Sequence, residues 1–181
     1  MLEVLVTLVI LLIALLGLAG VVARSNSAEL ESYQRVQALI LMQDMVDRIN
    51  ANRKYAPCYS NGGTGVTLGT GYSGTPACAA TGTLTLAAER TQAVTDLVAW
   101  DSMLKGAGEI QGGQRVGAMI GARGCITQLD ATNRIYRVSV AWQGMAGTVA
   151  PVDTCGQSSN AYGGDLKRRV VTTTVRIAKL S

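Results

Sequence analysis

VLVTLVILLIALLGLAGVVA, the stretch from Val4 to Ala23, is twenty residues without a charge, flanked by Glu3 and Arg24. At about 1.5 Å of rise per residue, a helix of this length crosses the ~30 Å hydrocarbon core of a bilayer. A cleaved secretory signal is the competing reading, since Val21-Val22-Ala23 loosely resembles a cleavage site. Such signals open with Lys or Arg and have an apolar stretch of only about 7 to 15 residues. This run is longer and lacks a basic end, so it reads as a membrane span. Orientation is set by positive charge on the cytoplasmic side, yet the only cation ahead of the run is the terminal amine, with Glu3 close behind. A basic leader, lost by processing or truncation, is therefore expected upstream. Glu3 lies at the lip of the apolar segment, where an ionised carboxylate must reach headgroup water or meet a cation. The amino terminus of a neighbouring chain is such a cation.

The 181 residues suffice for one compact domain of about 130 to 150 residues and an appendage. Sixteen Lys and Arg face twelve Asp and Glu, but residues 1–164 carry 11 of each sign, so the net +4 comes from the last seventeen residues. There is no His, which removes Ser-His-Asp and Cys-His nucleophile systems and every imidazole metal site. No convergent acid, base and nucleophile is evident. Asp96 and Asp101 are five apart on a predicted helix and do not share a face, so no paired-carboxylate device is visible. The chain is not expected to be an enzyme, and no cofactor or metal is expected.

No Pro or Gly-rich break follows Ala23. Ala38, Leu41, Met42, Met45, Val46 and Ile49 fall at i, i+3, i+4, i+7, i+8 and i+11, with Gln43, Asp44 and Asp47 opposite. One helix is predicted from near residue 2 to about 52, roughly 75 Å at ~1.5 Å per residue. Gly17 and Gly20 interrupt it, each costing on the order of 1 kcal/mol against Ala. They either let helices pack closely or mark where the helix loosens on leaving lipid, and their spacing does not choose. Pro57 ends the helical region. Cys58 to Cys78 then enclose CYSNGGTGVTLGTGYSGTPAC, whose glycines lack the following Gly-Lys-Ser/Thr of a phosphate loop; a disulfide-pinned surface loop is predicted. Residues 86–105 read as a second helix, with Val94, Leu97, Val98 and Leu104 on one face and Gly106 as a stop.

The final third reads as β. Strands are predicted over 124–129, 134–143 and 168–178, with a turn at 130–133 and a polar crossing at 144–164 that contains Cys155. In the middle strand Tyr136, Val138, Val140 and Trp142 alternate with Arg137, Ser139 and Gln143, which predicts one buried face and one wet face. Four cysteines allow three pairings; Cys58 with Cys78 and Cys125 with Cys155 are favoured because both close local loops. Each bridge would constrain the unfolded chain by around 3 kcal/mol, and persistent disulfides imply an oxidising compartment.

Residues 1–10, Met1-Leu2-Glu3-Val4-Leu5-Val6-Thr7-Leu8-Val9-Ile10, with the apolar run behind them, resemble the mature amino terminus of type IV pilins and pseudopilins. That resemblance implies a basic leader cleaved, and the new end N-methylated, by a prepilin peptidase. It also implies that Glu3 compensates the amino terminus of an adjacent subunit, and it favours helix loosening at Gly17 and Gly20. Four residues, the first generally Phe, precede the glutamate in the family pattern, and two precede Glu3; two mature residues are thus expected upstream, making Met1 an internal residue or a misassigned start. Gly124-Cys125-Ile126, Tyr136 to Gly144, Cys155-Gly156 and Arg168 to Ile177 resemble minor pilins of the PilV type, while residues 59–123 contribute little to the likeness.

The fold expected is α+β: a long amino-terminal helix, membrane-spanning in its first half, packed by its second half on an antiparallel sheet, as in pilins. The expected parts are a membrane and assembly half-helix at 1–24, an amphipathic half-helix at 25–56 and a disulfide-stabilised head at 57–181. The resemblance implies a subunit of the type IV pilus that works with other minor pilins, the major pilin and a tip adhesin, in priming, adhesion and twitching motility. It implies a single pass through the bacterial inner membrane with a periplasmic head, and later a place near the pilus tip. A type II secretion pseudopilin is the alternative within the superfamily. Lys167, Arg168, Arg169, Arg176 and Lys179 form a candidate basic patch for DNA phosphates. Tyr162 is the one aromatic close by, so base stacking is poorly supported, and a solvated edge that discourages sheet aggregation explains the cations as well. Nucleic acid is not expected as the partner.

Overall fold

The structure, a computed structural model, describes residues 2–78, 87–108, 110–115, 119–157 and 162–179. Of the expectations above, Met1, residue 86 of the second helix and positions 158–161 of the polar crossing lie outside these. Helix α1 runs Leu2–Ala51. The chain divides into two compact units, Met1–Gln34 and Arg35–Ser181, and α1 contributes residues to both.

The first unit holds the apolar run of residues 4–23 and the more polar turns from Arg24 to Gln34 that follow it. Every residue from Leu2 to Asn26 is exposed. Thr7 Oγ1 donates to Val4 O at 2.9 Å and Ser27 Oγ to Ala23 O at 3.0 Å. These hydroxyls satisfy themselves on their own helix, which removes their need for water.

In the second unit, burial on α1 begins at Ala38 and continues through Met42, Met45, Val46 and Ile49, the face that the 3.6-residue period selects. After α1 come a 3-10 turn at Arg53–Tyr55 and a short helix α2, Ala56–Tyr59. Strand β1 is Val66–Gly69 and helix α3 is Ala87–Leu104. A small ribbon pairs β2, Ile110–Gln111, with β3, Gln114–Arg115. Strands β4 (Arg123–Asp130), β5 (Ile135–Gln143) and β6 (Arg168–Arg176) follow. The main sheet is antiparallel, in the order β1-β4-β5-β6.

One face of this sheet carries Ile126, Tyr136, Val138, Val140 and Trp142. They share a core with the buried residues of α1 and with Ala93, Leu97, Trp100 and Leu104 of α3. The helices are tied by buried polar contacts as well as by packing. Trp100 Nε1 donates to Leu41 O at 2.8 Å. Asp96, 4% exposed, accepts from Tyr59 Oη at 2.5 Å, Gln92 Nε2 at 2.9 Å and Arg48 Nη1 at 3.1 Å, so one carboxylate joins α1, α2 and α3.

That contact sets an alkaline limit on stability. Burial, and then the bond to Asp96, push the Tyr59 phenol above its ordinary range, and burial raises Tyr136 too. A raised folded pKa means stability that is complete below the ordinary tyrosine value of about 10 and is lost as pH climbs through the folded one. Thermal midpoints should therefore fall above about pH 10. Tyr59→Phe should lower the neutral-pH midpoint while flattening the alkaline slope; an unchanged slope would show that Tyr59 is not responsible.

Two expectations are corrected by the sheet. The Cys58–Cys78 segment is not all loop: Val66–Gly69 pairs with β4, with Leu68 buried. The strand ends where Gly69 takes φ +97° against the β4 entry, and a Cβ there would lie 2.4 Å from Ala122 O. The second face of β5 is not wet throughout, since Ser139 is 2% exposed and Ala141 fully buried. Cys155 and Tyr162 cover it and, with Ala141, form a second small core. Tyr162 Oη donates to Gly121 O at 3.0 Å.

Candidate functional site

The residues singled out by sequence fall into three places. Glu3 lies in the first turn of α1, where a carboxylate suits the positive end of the helix dipole. Gly17 and Gly20 lie within the continuous helix, and a Cβ on either would meet nothing within 4 Å. Nothing in this chain therefore demands glycine there. The apolar surface of residues 4–23 is uncovered throughout. It is long and apolar enough to cross a membrane.

The cysteines are all paired, Cys58 with Cys78 and Cys125 with Cys155. Among the described residues no group of His, Cys, Asp and Glu is placed to hold a metal ion.

The five basic residues do not gather into one patch. Lys167, Arg168 and Arg169 stand at the start of β6 and Arg176 at its end, about 26 Å away at ~3.3 Å per residue. Arg168 is fully buried. Its guanidinium donates to Asp165 Oδ1 at 2.5 Å, Asp153 O at 2.6 Å, Cys155 O at 2.9 Å, Pro151 O at 3.1 Å and Asp165 Oδ2 at 3.3 Å. Arg169 donates to Thr148 Oγ1, Ala146 O and Leu166 O. Both arginines thus hold residues 146–155 of the crossing against the start of β6. Arg176 and Lys179 instead line a shallow groove with Thr132, Asn133 and Arg134. Sequence reasoning missed the role of Arg168 because its carbonyl partners lie 13 to 17 residues away.

A family model described as type IV pilin Tt1218-like matches residues 21–98. This match supports the type IV pilin superfamily. It spans less than half of the chain: the end of the apolar run, the buried half of α1, the Cys58–Cys78 segment with β1, and most of α3. Glu3, Gly17, Gly20 and strands β4 to β6 lie outside it. No curated protein and no solved structure matches the chain significantly. The apolar amino-terminal helix followed by a four-stranded antiparallel sheet is a pilin-like architecture, and the exposed apolar helix fits a membrane-anchored pilus subunit. Pilins are structural subunits that assemble with one another.

Proposed function

We propose that this chain is a minor pilin of the PilV type. The observation that carries the reading is the uncovered apolar helical surface from Val4 to Ala23, on a helix whose later residues belong to a folded core. Burying this surface in lipid is favourable at about 25 cal/mol per Å², and so is burying it among equivalent helices. The subunit is held in the inner membrane with its disulfide-bonded head in the periplasm, after a prepilin peptidase has processed a longer precursor. It then joins other minor pilins in a complex that primes the pilus and stays near its tip. Gly17 and Gly20 loosen or closely pack the helix during that transfer. Glu3 sets the register by meeting the amino terminus of the adjacent subunit, because leaving such a carboxylate unpaired in an apolar bundle costs several kcal/mol.

Glu3→Ala and Glu3→Lys should leave the head folded by circular dichroism, yet reduce incorporation into sheared pili roughly tenfold or more on immunoblots. Wild-type incorporation in either variant would remove Glu3 from the scheme. Normal pili with a loss of protein secretion would place the chain among pseudopilins instead.

A further inference from the structure

On the sheet face opposite Trp100, the head carries a cleft of about 210 Å³. Its floor is Cys125 and Ser139, which stand across from each other in the β4–β5 register. One wall is Thr64–Thr67, leading into β1; the other is Asp153–Gly156, tied to the floor by the Cys125–Cys155 bridge. Arg123 lies two residues before Cys125, and Arg137 pairs with Thr127, two residues after it. The two arginines therefore straddle the floor about 13 Å apart along the strands, and both line the cleft.

The polar groups are arranged with spare donors. Arg123 Nε is buried and has no acceptor among the described residues, an arrangement native structures rarely leave without an acceptor. Arg137 has 43% of its side chain exposed, and Asp153 is 3.8 Å away, beyond hydrogen-bond reach. Asp153 is occupied in holding the wall: Oδ1 accepts from Cys155 N at 2.8 Å and Oδ2 from Ser139 Oγ at 3.0 Å. The hydroxyl residues Thr67, Thr127 and Thr154 also line the space, and Val66 is its one large apolar residue.

We propose that this cleft binds a sugar acid, a single saccharide unit bearing one carboxylate. The guanidiniums supply planar, forked donors that match a carboxylate. The threonine hydroxyls suit the hydroxyl groups of a sugar, and the volume is that of a small polar molecule rather than the larger, mostly apolar pockets of drug-sized ligands. Two arginines against one aspartate leave a single positive charge, which one carboxylate neutralises. The site lies wholly in the head, so it stands or falls separately from Glu3 and pilus assembly.

The test uses the full chain in detergent micelles, with N-acetylneuraminic acid and glucuronic acid as probes, N-acetylmannosamine as an uncharged counterpart, and inorganic phosphate. Saturation-transfer NMR and calorimetry should detect both acids with Kd of about 1 mM or tighter at neutral pH. Arg137→Ala should weaken them roughly tenfold or more, Arg137→Lys less, and Arg134→Ala, outside the cleft, not at all. Arg123→Lys, checked for folding by circular dichroism, should also weaken binding. The proposal is overturned by no transfer at about 10 mM acid, by equal binding of the uncharged sugar, by phosphate binding in place of the acids, or by an unchanged Kd in folded Arg137→Ala.

Discussion

Replacing Arg168 by Met should destabilise the head by about 3–5 kcal/mol, the usual consequence of removing one partner from a buried charged network. The side chain is fully buried, and its loss removes the bonds that gather the carbonyls of Pro151, Asp153 and Cys155. Thioether bulk replaces the volume but none of the five bonds. Asp165, with 34% of its side chain exposed, can rehydrate, so the cost falls on the carbonyls, the buried one of Cys155 above all, rather than on the carboxylate. For a unit of this size the thermal midpoint should drop by roughly 10 °C. Arg168→Lys should recover little, because a point charge cannot reach three carbonyls and a carboxylate at once. The same contact has a pH signature. The hydrogen bond from Arg168 holds the Asp165 carboxyl below its ordinary range, so its contribution is complete above about pH 4 and is lost as pH falls through the depressed value. Wild type should lose stability below about pH 4, and Arg168→Met should show a shallower acid slope. Hydrogen exchange at Ser139 and Ala141, beneath the segment that Arg168 fastens, should quicken in the variant. A midpoint within a degree or two of wild type would mean the segment is held by the Cys125–Cys155 bridge alone.

What was legible in the sequence followed from local period. The apolar run and the i, i+3, i+4 spacing from Ala38 to Ile49 gave α1, and alternation from Tyr136 to Trp142 gave β5, because each pattern repeats within a few residues of itself. Strand β1 was hidden: Val66–Gly69 is four residues long among glycines, and only its pairing to β4, some 58 residues on, makes it a strand. The burial of Ser139 and Ala141 was hidden for a related reason. Small residues carry no strong pattern, and what covers them arrives from the 151–157 and 162 region through a disulfide and the Arg168 bonds. Arg168 itself stands between Lys167 and Arg169 and looks like one of three surface cations until its distant carbonyl partners are seen. The Asp153 wall and the Arg123–Arg137 pair of the cleft were invisible for the same cause. The family match, over residues 21–98, takes in residues 59–98, from which sequence resemblance had drawn least.

Gly124→Val should destabilise the head by about 3 kcal/mol, the upper end of ordinary overpacking, although valine has the better strand propensity. The sign decides between local and tertiary control at this position. A Cβ on Gly124 would lie 2.2 Å from Trp100 Cη2, 2.5 Å from Trp100 Cζ3 and 2.7 Å from Leu104 Cδ1, so the indole occupies the volume that a side chain would need. The indole cannot swing clear cheaply: it is fully buried, and its Nε1 is fixed on Leu41 O of α1 at 2.8 Å. Gly124 is thus the flat point on β4 against which α3 presses the ring that also grips α1. Trp100→Ala alone should cost about 3–5 kcal/mol through the cavity it leaves. In that background Gly124→Val should be far milder, because the valine would grow into vacated space, with a coupling of about 1–3 kcal/mol in the double-mutant cycle. Calorimetric or denaturant unfolding of the four proteins reads this directly. Strictly additive losses would mean that Trp100 and Gly124 stabilise the head separately. The amides of Met42 and Met45 give an independent check, since a ring displaced by the new side chain would release Leu41 O and loosen the buried half of α1. Faster exchange there, with the β5–β6 amides unchanged, would place the damage at the helix–sheet contact rather than in the sheet.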